Sequence, residues 1–176
     1  MVAVIDLKSE FASLTMLTDR TPASSDADRK ASGARLAPYR DGALFSAKFA
    51  GTSAWERHPQ GDEIVQIVDG ATTLHLITKE GRQALTLTAG MIAIVPQNVW
   101  HQFEAPDGVS VMTVTPQPTE HVRIDVPDPT SIDRPRSRPQ QEMPGRRKLW
   151  PPAARHALIF PARAGQAEYH DHRDRQ

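Results

Sequence analysis

The stretch GTSAWERHPQGDEIVQIVDG at residues 51–70 decides the fold, and a second stretch, GMIAIVPQNVWH at residues 90–101, answers it. Residues two apart in a β-strand point to the same side, so Glu56 and His58 share one face of their strand while Trp55 and Arg57 share the other. Pro59-Gln60-Gly61-Asp62 has the residues of a turn, with Asp62 stabilising it. Glu63 then opens the next strand, where an antiparallel return sets it beside the first. The run MIAIVP, turning through Gln97-Asn98 into VWHQF, reads as a further strand pair, with His101 and Phe103 on one face and Trp100 and Gln102 on the other. Two histidines and two carboxylates are thereby expected to converge, with Val65, Ile67 and Phe103 as apolar walls.

Outward from these stretches the texture is the same. ALFSAKFA (43–50), EIVQIV (63–68), ATTLHLIT (71–78), ALTLT (84–88), MIAIV (91–95) and VSVMTVT (109–115) are strand-length and rich in β-branched residues, separated by Asp-Gly, Glu-Gly, Ala-Gly and Pro-Asp-Gly. No crossover helix fits between them, so the expected class is all-β and antiparallel, a sandwich or a barrel. Ahead of them, residues 1–17 suit a short helix capped by Ser9, and the polar residues 19–35 read as a loop. Beyond Thr115 the pattern stops: ten of the fifteen prolines lie from Pro116 onward, mixed with arginine and glutamine. The expected organisation is an N-terminal arm (1–36), a barrel (37–118) and an irregular extension (119–176). In that extension the EHVRIDVPD region has room for one edge strand before disorder.

Composition narrows the chemistry. The 176 residues carry 21 basic and 21 acidic side chains, so no overall field draws the chain to nucleic acid or to an anionic membrane. The balance is uneven, with residues 1–122 holding 10 basic and 14 acidic side chains and residues 123–176 holding 11 and 7. Cysteine is absent, so a metal must be held by nitrogen and oxygen. The start MVAVIDLKSE resembles no leader, and no run approaches a membrane span; a soluble cytoplasmic protein is the expectation.

The two stretches together resemble the motifs of the cupin superfamily. Its first motif is a glycine, a His-x-His pair, a glutamate about five residues beyond and a later glycine, matched here by Gly51, His58, Glu63 and Gly70. The second is matched by Gly90, Pro96 and His101, with Asn98 at a glycine position that asks for a left-handed turn. The resemblance spans roughly residues 37–115 and implies a jelly-roll barrel, a double-stranded β-helix. It also implies one divalent metal ion (Fe, Mn, Zn or Ni) held by Glu56, His58, Glu63 and His101, and a homodimer. Glu56 stands where the family has its first histidine, and ligation, proton transfer and pairing with a cation are all open to it.

The plain alternative for His58 and His101 is a pair of unrelated strand histidines, against which the order and spacing of both motifs weigh. Trp55 and Trp100, on the opposite faces, suit packing or an interface. His75 reads as an ordinary strand histidine, and His170-Asp171-His172 and the basic run 145–148 as solvated tail. The resemblance implies a small-molecule enzyme of dioxygenase, isomerase, cyclase, lyase or decarboxylase type. A carboxylate not firmly ligated in such a site can move a proton, and Glu56 is the candidate catalytic residue for that role. The competing expectation is a cupin that binds or senses a small ligand without turning it over.

Overall fold

The computed structural model describes residues 2–132. Their strands join into one nine-stranded sheet with the all-β jelly-roll architecture expected from the sequence. The residues from 133 onward, including the basic run at 145–148, the apolar cluster 156–160 and the histidines at 170 and 172, lie outside the described residues.

A short helix α1 (Leu7–Ser13) opens the chain, and its cap is Asp6 rather than Ser9: the Asp6 side chain accepts from the backbone of Lys8 and Ser9. The loop expected over 19–35 is replaced by structure. Strand β1 (Leu17–Arg20) adds in parallel to β3 (Gly42–Thr52), helix α2 (Asp26–Arg29) follows with a Ser25/Asp28 capping box, and β2 (Gly33–Tyr39) pairs antiparallel with β3. Strand β1 escapes a reading by alternation because Thr18 and Asp19 face water at a sheet edge, where backbone pairing does not require apolar side chains.

The spine is β8 (Trp100–Pro116), which takes β3 along one side and β5 (Glu63–Thr78) along the other. The segments 63–68 and 71–78, read from sequence as two strands, are this one strand of 16 residues, bent near Asp69-Gly70. The bend is where β5 crosses β8 closely. Gly70 has φ +76°, and a Cβ there would stand 2.4 Å from the carbonyl oxygen of Gly108, itself at φ +96°. Only glycine meets both demands at no steric cost. Strands β6 (Gly81–Thr88) and β7 (Ile92–Val95) pair with the two ends of β5.

Neither hairpin expected around the site forms. Strand β4 (Trp55–Arg57) pairs with β8 and with β9 (Glu120–Val122), so Glu63 does not return alongside it. Strand β7 pairs with β5, and the 96–99 turn carries the chain across to β8. The turn itself is as the residues suggest. Asn98 takes φ 65°, and the backbone N–H of Gln97 donates to Asp62 Oδ1 at 2.8 Å.

Two apolar clusters hold the barrel. The larger fills the interior around Phe49, Val65, Ile67, Leu74, Phe103 and Val111. The smaller joins fully buried Trp55 to Trp100 and Val122, with Ile77, Val126 and Ile132 against it. The indole N–H of Trp55 donates to the Val126 carbonyl at 2.9 Å, and Arg57 stacks over Trp100 while pairing with Glu120 at 2.7 Å. Both tryptophans are therefore packing residues that clamp the segment after β8 onto the barrel, and this clamp sets β9 beside β4.

Candidate metal centre

The end of β4, the start of β5 and the start of β8 deliver His58, Glu63 and His101 to one point. All three are buried, and their ligand atoms lie within 4.8 Å of one another. Glu63 Oε2 stands 3.3 Å from His58 Nε2 and 3.0 Å from His101 Nε2, and the two imidazole rings are 5.3 Å apart. Despite this closeness none of the three atoms has a hydrogen-bond partner among the described residues. Buried polar atoms are rarely left so. Three that converge from separate strands offer a divalent cation a mixed nitrogen and oxygen donor set.

The other atom of each group is held. His101 Nδ1 is 3.2 Å from the Val99 carbonyl, which takes its N–H and leaves Nε2 as the free lone pair. Thr119 Oγ1 lies 3.2 Å from His58 Nδ1. Thr115 Oγ1 donates to Glu63 Oε1 at 2.6 Å and is itself 2.6 Å from Thr113 Oγ1. These contacts orient the donors as outer partners do in metal sites.

Burial alone would make the Glu63 carboxyl harder to ionise. His101 and His58 outweigh it and hold the group down at about 2, so it is a carboxylate at neutral pH. Burial likewise opposes charge on His101, and Glu63 with Glu56 pulls its affinity for a proton upward instead. The centre prefers a positive charge among its carboxylates.

Glu56 stands beside the trio. Its Oε1 is 3.6 Å from His101 Nε2 and its Oε2 is 3.4 Å from His121 Nε2, because Glu56 on β4 is the register partner of His101 on β8 and of His121 on β9. Burial works against its ionisation, yet His121 and His101 keep its carboxyl below the usual range. The four residues expected from sequence are thus brought together, with Glu56 outermost. His75 is the ordinary strand histidine expected, paired with Glu104 at 2.7 Å.

A cavity of about 650 Å³ opens beside this centre, lined by Glu56, Glu63 and His121 on one hand and by Phe49, Phe103 and Thr113 on the other. Phe103 takes the wall position expected of it, whereas Val65 and Ile67 pack in the interior and do not line the cavity. Four contributors were not anticipated: His121, Thr119, Thr115 and Arg20. Thr115 alternates with Thr113 on one strand face, a signal that a face-by-face reading of β8 carries. His121 and Thr119 become visible only once β9 is known to lie beside β4, and Arg20 only once β1 is a strand.

Residues 46–115 match the family model described as a cupin domain, Cupin_2, and this part of the chain is a cupin domain. Among solved structures, the chain is similar to a cupin-2 domain protein from Shewanella frigidimarina (22% identity, 65% of this chain and 95% of that one, TM-score 0.48). It is also similar to a protein from Neisseria meningitidis (18% identity, 65% and 100%, TM-score 0.49). Hydroquinone 1,2-dioxygenase from Sphingomonas sp. TTNP3, solved with 4-hydroxybenzoate bound, matches over 46% of this chain and 62% of that one, at 21% identity and TM-score 0.41. No curated protein matches the chain in sequence.

Proposed function

We propose that this chain is a metal-dependent cupin enzyme acting on a small organic molecule in the cavity beside His58, Glu63 and His101. The observation that carries the reading is the set of three buried, mutually close and otherwise unpartnered donor atoms. His58, Glu63 and His101 would hold the ion, with Glu56 as a fourth ligand or as a neighbour of the bound substrate. A divalent metal supplies a Lewis acid that polarises a substrate oxygen, and as iron it adds redox chemistry.

The chain's own residues do the rest. Phe49 and Phe103 exclude water from one side of the cavity and favour a compact, partly apolar substrate. The Glu56 carboxylate, ionised at neutral pH and lining the cavity, is placed to accept a proton from the substrate, and His121, whose Nε2 lies 3.4 Å from Glu56 Oε2, supports its charged form. A redox-inert metal restricts the reaction to isomerisation, cyclisation, elimination or decarboxylation, and iron adds oxidative cleavage. The proposed assembly is a homodimer: β7 is an edge strand carrying exposed Ile92 and Ile94, and a partner strand or sheet face covers such an edge.

Metal analysis of the purified chain tests the reading. Close to one divalent ion per chain is expected, lost in the His58→Ala/His101→Ala double variant with the fold retained by circular dichroism. A wild-type protein that folds and binds its small ligand without metal sinks the proposal and leaves a cupin that only binds.

A further inference from the structure

The cavity next to the candidate metal centre is lined by a guanidinium that no hydrogen bond or ion pair among the described residues engages. Arg20 ends β1, whose parallel pairing with β3 sets it opposite Gly51. That approach needs the glycine, since a Cβ on Gly51, at φ +109°, would lie 2.3 Å from the Arg20 carbonyl oxygen. So placed, the half-buried Arg20 lines the cavity with its guanidinium 4.1 Å from the centroid of the buried Phe49 ring. Among the described residues no hydrogen bond or ion pair engages that side chain. Burial pushes it down to about 10, Glu56 opposing this through its charge, so it remains a cation at neutral pH.

Two of the cavity's other cations are engaged elsewhere and two are exposed. Arg29 and Arg123 both contact the Asp26 carboxylate, and Lys30 and Arg35 stand exposed at the cavity's rim. The lining carries five cations against Asp26, Glu56 and Glu63, and the last two already face histidines. A planar guanidinium presents five donors in a fork that matches a carboxylate bidentately, and ring stacking fixes its plane while leaving its N–H edge to a ligand. A surplus of positive charge in a partly apolar cavity asks for an anion small enough to leave room at the metal centre.

We infer that the substrate is a small organic carboxylate, and that Arg20 is the residue that binds its carboxylate group and aims the remainder at the His58, Glu63 and His101 centre. This rests on the reading of that centre as the place of reaction. Arg20 touches substrate in this scheme and sets specificity; it neither ligates the metal nor moves a proton.

The test is calorimetric titration of the full, metal-loaded chain with acetate, succinate and benzoate, set against acetamide, succinamide, benzamide and inorganic phosphate. At least one carboxylate is expected to bind at least ten-fold more tightly than its amide and than phosphate. Arg20→Met should remove that preference while leaving amide binding unchanged, and Arg20→Lys, which keeps the charge without the fork, should fall between. Equal binding of carboxylate and amide by wild type, carboxylate binding unaffected in Arg20→Met, a preference for phosphate, or no binding by any of the three acids would overturn the assignment. The acid-to-amide comparison on wild type needs no variant, so it stands even where Arg20→Met fails to fold. Metal content, measured on each sample, separates the two readings: full metal with lost carboxylate preference concerns Arg20, and a metal-free wild type concerns the centre itself.

Discussion

At the scale of single residues, the centre depends on groups that hold its donor atoms in place. Thr115 grips one oxygen of Glu63 and so turns the other toward the two histidines. Replacing it by the isosteric valine removes the hydroxyl without opening a void. We expect Thr115→Val to weaken metal affinity by about 10–100-fold, the usual cost of losing an outer partner, with little change in fold. Competition with a chromophoric chelator measures this, and an unchanged affinity would show that Glu63 needs no such help. What was legible at this scale was local. His58, Glu63 and His101 could be assembled from spacing and strand alternation, because each lies at a strand end beside a turn whose residues announce it. The route was wrong even so: Glu63 meets His58 through the curl of the barrel and not through a hairpin, since β4 already has β8 and β9 on its two edges. His121 had no such announcement. Its place beside Glu56 depends on a pairing 65 positions apart, between β4 and β9, which no local pattern encodes.

At the scale of elements, the short strand β9 carries more than its three residues suggest. It places His121, its leading loop places Thr119 against His58, and Val122 completes the cluster around Trp55. The chain then runs on through the Val126 carbonyl, bonded to Trp55, and the Pro127 carbonyl, bonded to Arg82, to Ile132. Truncation should therefore be sharply position-dependent. A chain ending after residue 132 keeps every contact of this clamp and should melt cooperatively at the temperature of the full protein. One ending after Pro118 exposes fully buried Trp55 and should lose about 3–5 kcal/mol, comparable to emptying a large aromatic site, together with most metal affinity. Calorimetric melting of the two truncations decides it; equal melting temperatures would mean that the clamp contributes nothing. The clamp was hidden for the same reason as β1: at sheet edges, polar and charged side chains on one face obscure the alternation that marks a central strand.

For the whole molecule, the outer face of the barrel is informative because it is apolar where it has no need to be. Leu44, Val114, Ile64 and Ile94 follow one another in register across β3, β8, β5 and β7, and Ile92 and Ile94 are more than 60% exposed at the end of that row. The expected consequence is self-association through β7. Light scattering should give twice the chain mass, and Ile92→Asp/Ile94→Asp should give a folded monomer with its metal content intact. A monomeric wild type would remove this face from consideration as the dimer contact. No helix among the described residues is long and apolar enough to cross a membrane. The overall class was the most legible property of all, since it needed only the count and spacing of short strands.

The parallel contact between β1 and β3 divides the labour of the site along the chain. His58, Glu63, His101, Glu56 and Thr115 all lie within the matched segment 46–115, whereas Arg20, Thr119, His121 and Arg123 lie before or after it. On the proposed function, the residues that would hold the metal thus lie in one contiguous piece, and Arg20, Thr119, His121 and Arg123 come from the two segments that flank it. If that function holds, changes in the flanking segments should alter what the cavity accepts while leaving the donor set of His58, Glu63 and His101 intact.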